Sequence, residues 1–416
     1  MSFSSSLFEG LNFTEQLLSG STLWLRVANV FCVLGAALCV GSALRHIMLA
    51  ASRGSASPAL ALPGGGQVPA GGGGGGAGEE AMHERGAKPS NLFRTLSIGA
   101  LFAAIVAMSI SVWNRYLEVN HFPSQTMSEV VVMFSFALIV SMAVLVFALG
   151  LNREGAGWAV VGDAILLLVL LGAWATNAYS TTLSTAQRDL PPALQSYWFP
   201  PHLVALIFSY GTMAITGTLC AVYFSMRFWG GVFRGGRTIK SQLFVVALLT
   251  LVPFAQILTI PILGLVGLIF LGLWIFKAAP GGEWMAAAED KMDRVSYKAF
   301  AVGFPFLTAG LFMGAFWAQE AWANYWGWDS KENSALITWL VYVIYVHLRM
   351  LGGYRGEKAM AVLLGGALSV FLTFQIFGYL PDSQKSLHRY TDDGVTPTEG
   401  TVDIQETTES ARVESR

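Results

Sequence analysis

The sequence contains little charge. Only 12% of its 416 residues are Asp, Glu, Lys or Arg, whereas 54% are hydrophobic; soluble globular domains carry about 25% charged residues. Runs of about 20 apolar residues recur along the chain, which is the length that a helix needs to cross a bilayer. The composition therefore predicts an all-α polytopic membrane protein. The net charge of −1 does not by itself indicate a partner, and we expect none that is a nucleic acid.

Cysteine is also scarce. The chain has three, Cys32, Cys39 and Cys220, all inside apolar segments, and we interpret them as small packing residues. The absence of a C-x-x-C pair argues against thiol–disulfide exchange, and the absence of C-x-x-C-H excludes a c-type cytochrome. The first 20 residues lack the basic n-region of a cleavable signal peptide, so the first apolar run is predicted to be a retained helix.

Ten apolar segments are candidate membrane spans. Basic residues mark the loops that face the cytoplasm, and they flank the stretch 241–276 on both sides. That arrangement requires an even number of crossings, so we predict a hairpin there, about ten transmembrane helices in all, and both termini outside. The predicted spans are 22–44, 92–114, 127–149, 157–176, 202–226, 241–258, 261–277, 299–318, 333–350 and 359–380.

Two segments lack the apolar content of a span. Residues 52–90 are rich in Gly, Ala and Pro and are expected to form a flexible cytoplasmic linker. Residues 391–416 are acidic and rich in Thr and are expected to form a solvated outer tail. The predicted organisation is therefore an N-terminal segment, 1–51, that holds the first span, then the linker, a main transmembrane domain over 91–390, and the tail.

Tryptophan is concentrated in one place. Five of the thirteen lie in the stretch WAQEAWANYWGWDSKENSALITWLVYVIYVHLR, at Trp317, Trp322, Trp326, Trp328 and Trp339. Tryptophans are normal at membrane interfaces, but five in one loop and its flanks exceed that expectation. The loop lies on the outer side in the predicted topology, and flat aromatic surface there favours a large flat ligand, with haem as the leading candidate. An ordinary interfacial belt is the alternative.

The predicted topology separates the six histidines. His202, at the start of the fifth span, and His388, beyond the last span, share the outer face with the tryptophan-rich loop. A neutral imidazole is a good iron ligand, and a pair can hold haem iron from both faces; two unrelated loop histidines are the alternative. His347 lies within an apolar span, 19 residues after Trp328, or about 28 Å along a helix. An ionisable residue there is a functional candidate by default, and an interfacial histidine near Arg349 is the alternative.

The remaining polar candidates have simpler explanations. His46 and His83 are interpreted as ordinary cytoplasmic loop residues, and His121 as the cap of a turn rather than as a third outer ligand. Asp329 and Glu332 form Asp-x-x-Glu directly before an apolar run, the pattern of a helix capping box. Direct contact between Asp329 and a ligand stays open beside that interpretation.

The tryptophan-rich stretch closely resembles the "WWD" signature, here at 317–332, of the haem-handling proteins of cytochrome c biogenesis. The resemblance is to the CcsA (also called ResC or CcsB) branch of the system II machinery. Ser330 stands where that family usually has Pro, and Ala323 stands where it usually has Gly. Other segments that resemble the family are GFPFLTAGLFMGAFWA at 303–318, LPPALQSYWFPPHLVALIFSYG at 190–211, SLHRY at 386–390 and NHFPSQTMSEVV at 120–131.

The resemblance implies a multi-pass subunit of the system II cytochrome c synthase in the plasma membrane. Such a subunit takes up haem b and presents it on the outer face for thioether attachment to the C-x-x-C-H of apocytochrome c, together with a ResB-type partner. His202 and His388 match the outer axial ligands of haem, and His347 matches the membrane-embedded haem histidine. The cofactor-contacting set is completed by Trp317, Trp322, Trp326, Trp328 and Asp329.

Besides a non-catalytic assembly scaffold, two other functions stay open at this point. One is delivery of haem to a carrier chaperone, as in the CcmC branch of the same superfamily, which is shorter and has fewer spans. The other is a small-molecule secondary transporter, which predicts inverted repeats with broken helices; we find no convincing internal repeat, although Pro253 and Pro261 interrupt the predicted hairpin.

Overall fold

The computed structural model describes residues 20–52, 92–148, 156–183, 192–234, 264–269, 271 and 282–375. These residues form helices and connecting turns, with no strand among them. The long helices are α1 (Ser21–Ser52), α2 (Leu92–Val119), α3 (Met127–Ala148), α4 (Ala156–Ser180), α5 (Phe199–Arg234), α6 (Gly282–Trp322), α7 (Ser330–Met350) and α8 (Glu357–Gln375), with a 3₁₀ turn at Pro192–Leu194.

Six of the described helices, α1 to α6, contain stretches long and apolar enough to cross a membrane. This set indicates a multi-pass membrane protein. Within the described residues, the corresponding six predicted spans lie in these helices. The predicted span at 333–350 lies in α7, and residues 359–375 of the predicted span at 359–380 lie in α8; α7 and α8 do not belong to the six. Ten spans and their sidedness stay predictions.

Several predicted segments fall largely outside the described residues. The hairpin at 241–277 is described only at 264–269 and 271, which are helical. The linker beyond Ser52 and the tail at 391–416 lie outside the described residues, as does His388.

The helices α5 and α6 extend beyond the predicted spans. α5 ends at Arg234 and α6 begins at Gly282, whereas the predicted span in α5 ends at residue 226 and the predicted span in α6 begins at residue 299. Charged residues continue both helices because they pair across them: Arg227 Nη1 lies 2.6 Å from Glu289 Oε2, and Arg227 Nη2 lies 3.1 Å from Glu357 Oε2. Hydropathy detects the apolar part of a helix and not its ends.

Helix α5 joins two groups of helices. α1 packs against α2 and α4, and α3 packs against α2 and α4; on the other side α7 packs against α8. α5 contacts α3, α6 and α8 and its apolar stretch is mostly buried, whereas only 28% of the apolar stretch of α6 is buried. The residues at the start of α5 therefore belong to a helix that is packed against three others.

A glycine stripe on α6 allows close contact with α5. A Cβ added at Gly303 would lie 2.9 Å from the Cβ of Thr212, and additions at Gly310 and Gly314 would collide with Leu206 and His202. Spacings of seven and four residues place these three glycines on one helix face. Small residues at such positions let two helix backbones approach each other.

All three cysteines are buried with free thiols. Cys32 and Cys39 lie on α1, and Cys220 lies on α5, each within the hydrophobic core of the described bundle. Their placement agrees with the predicted packing role.

Candidate functional site

His202 lies in the first turn of α5 and contacts α6. Its Nδ1 atom is 2.8 Å from the carbonyl oxygen of Gly310. A carbonyl oxygen only accepts, so Nδ1 carries the proton in this contact, and a neutral imidazole then has its lone pair on Nε2. Histidines that ligate metals are oriented in this way, by donating the other ring N–H to a carbonyl or carboxylate oxygen.

The absence of a side chain at Gly314 makes room for the His202 ring. A Cβ at Gly314 would lie 2.6 Å from His202 Cε1 and 2.8 Å from Nδ1. The imidazole also stacks on the indole of Trp317, with ring centroids 5.6 Å apart and 29° between the planes. The ring position is thus set by a carbonyl, a glycine and an indole, all on α6.

Trp317 connects His202 to the tryptophan-rich loop. It is buried, and its Nε1 donates a hydrogen bond of 2.7 Å to the carbonyl oxygen of Ala193. Its ring contacts Phe199 at 4.9 Å and Trp322 at 5.0 Å between centroids. The structure therefore brings together three of the predicted site residues, His202, Trp317 and Trp322, from α5 and the end of α6.

Trp326 and Trp328 form a second pair in the loop between α6 and α7. Their centroids are 6.2 Å apart and their planes meet at 78°. Trp328 is 70% exposed, which makes its indole a surface available to another molecule. Trp326 is only partly exposed.

Three aromatic residues that were not predicted as site residues extend this aromatic surface. Trp198 contacts Phe316 at 4.9 Å, and Phe316 contacts Tyr325 at 6.5 Å between centroids. Gly310 and Gly314, which position His202, were missed as well. The glycine spacing within 303–318 was a signal for close helix contact, but it does not say which side chain of the partner helix fills the space.

Asp329 is the N-cap of α7, and the predicted capping box is confirmed. Asp329 Oδ1 accepts from the backbone N–H of Glu332 at 2.7 Å, and Glu332 Oε2 accepts from the N–H of Asp329 at 3.4 Å. The same Glu332 oxygen accepts from the N–H of Gly327 at 2.7 Å. The loop is therefore tied to the first turn of the next helix.

His347 lies near the far end of α7 and is exposed. Its Nδ1 is 2.8 Å from the carbonyl oxygen of Val343 on its own helix, so Nδ1 again donates. Arg349, two residues further on, is buried and forms a bidentate pair with Asp293 at 2.8 and 2.9 Å. The structure thus separates His347 from the loop by most of the length of α7, as the sequence predicted.

His121 lies in the turn between α2 and α3, where its Nδ1 is 3.0 Å from the carbonyl oxygen of Phe122. The turn ends in a capping box, because Thr126 Oγ1 accepts from the N–H of Glu129 at 3.3 Å and Glu129 Oε2 accepts from the N–H of Thr126 at 3.2 Å. A local turn role explains the placement of His121.

A profile of the family described as "Cytochrome C assembly protein" matches residues 98–381 of the chain. The chain belongs to the cytochrome c assembly family. It is similar to the "Cytochrome c biogenesis protein CcsA" of Gloeobacter violaceus, with 30% identity over 317 residues that cover 72% of this chain and 87% of the relative. The CcsA protein of Synechococcus elongatus is 30% identical over 304 residues, covering 72% and 89%.

A third relative is the CcsA protein of Chlamydomonas reinhardtii, 32% identical over 206 residues that cover 50% of this chain and 44% of the relative. The resemblance to CcsA-type cytochrome c biogenesis proteins that the WWD stretch indicated is confirmed. Membership of the cytochrome c assembly family gives the chain a role in cytochrome c maturation. The matched region contains His202, the tryptophan-rich loop and His347, and ends before His388.

Ala323 in this cytochrome c assembly protein has a backbone conformation that suits glycine. Its φ is +56°, and its N–H bonds the carbonyl oxygen of Gln319 at 3.0 Å, which is the left-handed cap at the end of a helix. We expect Ala323→Gly to raise the free energy of unfolding by about 1 kcal/mol, because a Cβ is unfavourable in this region. Thermal unfolding in detergent measures it. The control, Ala321→Gly within α6, is expected to lower stability by about 0.5–1 kcal/mol; equal losses in both variants would contradict the prediction.

Lys331, in the first turn of α7, is expected to lose its ammonium proton at a lower pH than an ordinary lysine does. Burial lowers the pKa of Lys331 to about 8, and the neighbouring Asp329 carboxylate opposes that effect. We expect its acylation by a small amine-selective reagent, measured by mass spectrometry, to show a midpoint at about pH 8 in the folded chain. In the denatured chain the midpoint is expected at about pH 10.4. Between these values the unfolded state holds the proton and the folded state does not, so the contribution to stability rises with pH. Equal midpoints in the two states would refute the assignment.

Proposed function

We propose that the chain holds haem b at the surface formed by His202 and the tryptophan-rich loop, and presents it there for attachment to apocytochrome c. The observation that carries the proposal is the geometry of His202, whose Nδ1 donates to Gly310 O at 2.8 Å while the ring stacks on Trp317. In the neutral ring this places the lone pair on Nε2, the atom that would bind iron.

His388 is proposed as the ligand on the opposite face of the haem. The assignment rests on the resemblance of SLHRY to the family's second outer histidine segment, because the residue lies outside the described part of the chain. Two neutral imidazoles on the outer face would hold the iron from both sides. The histidine of the arriving apocytochrome would then displace one of them.

The tryptophans are proposed as the apolar surface beneath the haem ring. Trp317 stacks on His202 and contacts Trp322, whereas Trp326 and Trp328 lie in the loop, where Trp328 is 70% exposed. Indole rings offer large flat contact area at low conformational cost. Asp329 is assigned to capping α7, and any contact with haem is secondary to that role.

His347 is proposed as the ligand of a second haem position within the membrane. It is exposed on α7 and donates Nδ1–H to its own helix at Val343, so the neutral ring has its lone pair on Nε2. The family resemblance implies that the opposite ligand comes from a ResB-type subunit. With the loop on the outer side of the plasma membrane, His347 would meet haem before the outer site does.

In this scheme the chain positions reactants and supplies no nucleophile. Each thiol of the apocytochrome C-x-x-C-H adds across one haem vinyl group, so that a carbon–sulfur bond forms and the proton moves to the other vinyl carbon. Correct placement of two reactants is itself a large rate effect, and protein ligands tune the electronics of the iron. The proposed function is therefore that of a haem-presenting subunit of a cytochrome c synthase.

The test combines a spectrum with a maturation assay. The full chain is purified with a ResB-type subunit, and absorption spectra are recorded for wild type, His202→Ala and the matched variant His121→Ala. Cytochrome c formation by the same three chains is measured in cells that lack their own copy of this protein. We expect the wild-type spectrum to show low-spin haem. In His202→Ala we expect that spectrum to be lost or altered and cytochrome c formation to be lost, whereas His121→Ala is expected to keep both. A wild-type preparation without haem, or equal effects in both variants, would overturn the proposal.

A further inference from the structure

Trp328 has an unfavourable backbone conformation. Its φ is +58°, in the left-handed region that glycine adopts readily and that a bulky side chain rarely adopts. The residue is 70% exposed, so the fold gains little packing from its side chain in return. A tryptophan that has an unfavourable φ and is largely exposed does not stabilise the fold, so its presence at this position needs another explanation.

Two side chains from the first turn of α7 form hydrogen bonds with the backbone around Trp328. Glu332 Oε2 accepts from the N–H of Gly327 at 2.7 Å and from the N–H of Asp329 at 3.4 Å, one on each side of Trp328. Asn333 Nδ2 donates to the carbonyl oxygen of Trp328 itself at 2.8 Å. The peptide groups around Trp328 are therefore bonded to side chains of α7, which begins two residues later at Ser330.

The bonds made by Glu332 exceed what a capping box requires. A capping box needs one bond from the N3 side chain to the N-cap N–H, and in α7 the shorter bond of Glu332 goes instead to Gly327. Strained residues persist where the surroundings over-determine them, and they concentrate at ligand clamps. The over-determined residue here is an exposed indole beside another indole, Trp326, at 6.2 Å.

We propose that Glu332 and Asn333 are positioning residues that hold Trp328 in its left-handed conformation, so that its indole is presented outward as a contact surface for a flat macrocyclic ligand. The inference rests on the proposed function for the identity of that ligand, haem b. It adds that the surface is formed before the ligand arrives and that the chain gives up stability for it. Helix capping alone assigns no such role to Glu332 or Asn333.

The first experiment tests the strain with a matched pair of variants. Trp328→Gly and Trp328→Ala both remove the indole and differ only in whether a Cβ stays in the left-handed region. We expect the thermal midpoint of Trp328→Gly in detergent to exceed that of Trp328→Ala by about 1 °C. A midpoint for Trp328→Gly at or below that of Trp328→Ala would overturn the claim of strain.

The second experiment tests positioning through a spectrum. Glu332→Ala and Asn333→Ala leave Trp328 in place but release the bonds around it, and both are expected to alter the haem absorption spectrum in the same direction as Trp328→Ala. Trp328→Phe, which keeps a flat ring, is expected to restore most of the wild-type spectrum. The control is Thr126→Ala, which removes a capping side chain from α3 and is expected to change stability without changing the spectrum.

The outcomes separate the inference from the function beneath it. A wild-type chain without haem overturns the proposed function and the ligand contact together. A haem-loaded wild type whose spectrum is unchanged in Glu332→Ala and Asn333→Ala overturns only the positioning role. A spectral change in Thr126→Ala equal to that in Glu332→Ala also overturns it, since loss of any helix cap would then suffice.

Discussion

Replacing Asp293 with asparagine is expected to lower the free energy of unfolding by about 3–5 kcal/mol, because the change leaves a buried guanidinium without its counter-charge. The Asp293 and Arg349 side chains are 4% and 3% exposed and form two hydrogen bonds of 2.8 and 2.9 Å between α6 and α7. Asparagine has nearly the same shape, so the loss reports charge and not packing. Thermal or denaturant unfolding in detergent measures it.

An exposed ion pair on the same helix supplies the control. Asp290 pairs with Arg294, and both side chains are more than half exposed, so Asp290→Asn is expected to cost less than about 1 kcal/mol. The double variant Asp293→Leu with Arg349→Met removes both charges and is expected to recover most of the loss. Equal costs for Asp293→Asn and Asp290→Asn would show that the buried pair does not hold α6 to α7.

Gly314→Ala is expected to reduce cytochrome c formation by about 100-fold, because a Cβ there would lie 2.6 Å from His202 Cε1 and must displace the imidazole. The ring has little freedom to move, since it bonds Gly310 O and also stacks on Trp317. Misplacement of a reacting group by about 1 Å costs on the order of 100-fold in rate. The maturation assay and the haem absorption spectrum both report the change.

Gly365→Ala on α8 is the matched control. The space around Gly365 is open to 4 Å, so the same substitution there adds only helix propensity, worth about 0.5–1 kcal/mol in favour of the folded state. We expect Gly365→Ala to keep wild-type maturation. If Gly314→Ala also kept it, the His202 position would not depend on the α6 surface as described.

Local features of this chain could be predicted from sequence where neighbouring residues determine them. Asp329 and Glu332 are three residues apart and cap their own helix, so their pattern was sufficient to predict the contact that the structure shows. Apolar runs predicted the positions of α1 to α6 for the same reason. The ends of α5 and α6 were not predicted, because Arg227 continues the helix by pairing with Glu289, which is distant in sequence.

The candidate site was predictable only in part. His202 and Trp317 are 115 positions apart in the sequence, and no periodicity relates them; only the shared outer face in the predicted topology and the family resemblance put them together. The roles of Gly310 and Gly314 depend on which residues of α5 face them, and that choice is made by helix packing. The conformation of Trp328 depends on Glu332 and Asn333. The sequence pattern predicted only a capping role for Glu332 and no role for Asn333.

Composition and motifs are properties of short stretches, and they were enough to predict an apolar helical chain, a tryptophan-rich loop and membership of a cytochrome c assembly family. The folded structure was needed to see which atom of His202 carries the proton, why glycine stands at position 314, and how the indole of Trp328 comes to face outward. These depend on contacts between side chains and backbone groups brought together by folding, and their distances are set by how closely α5, α6 and α7 pack.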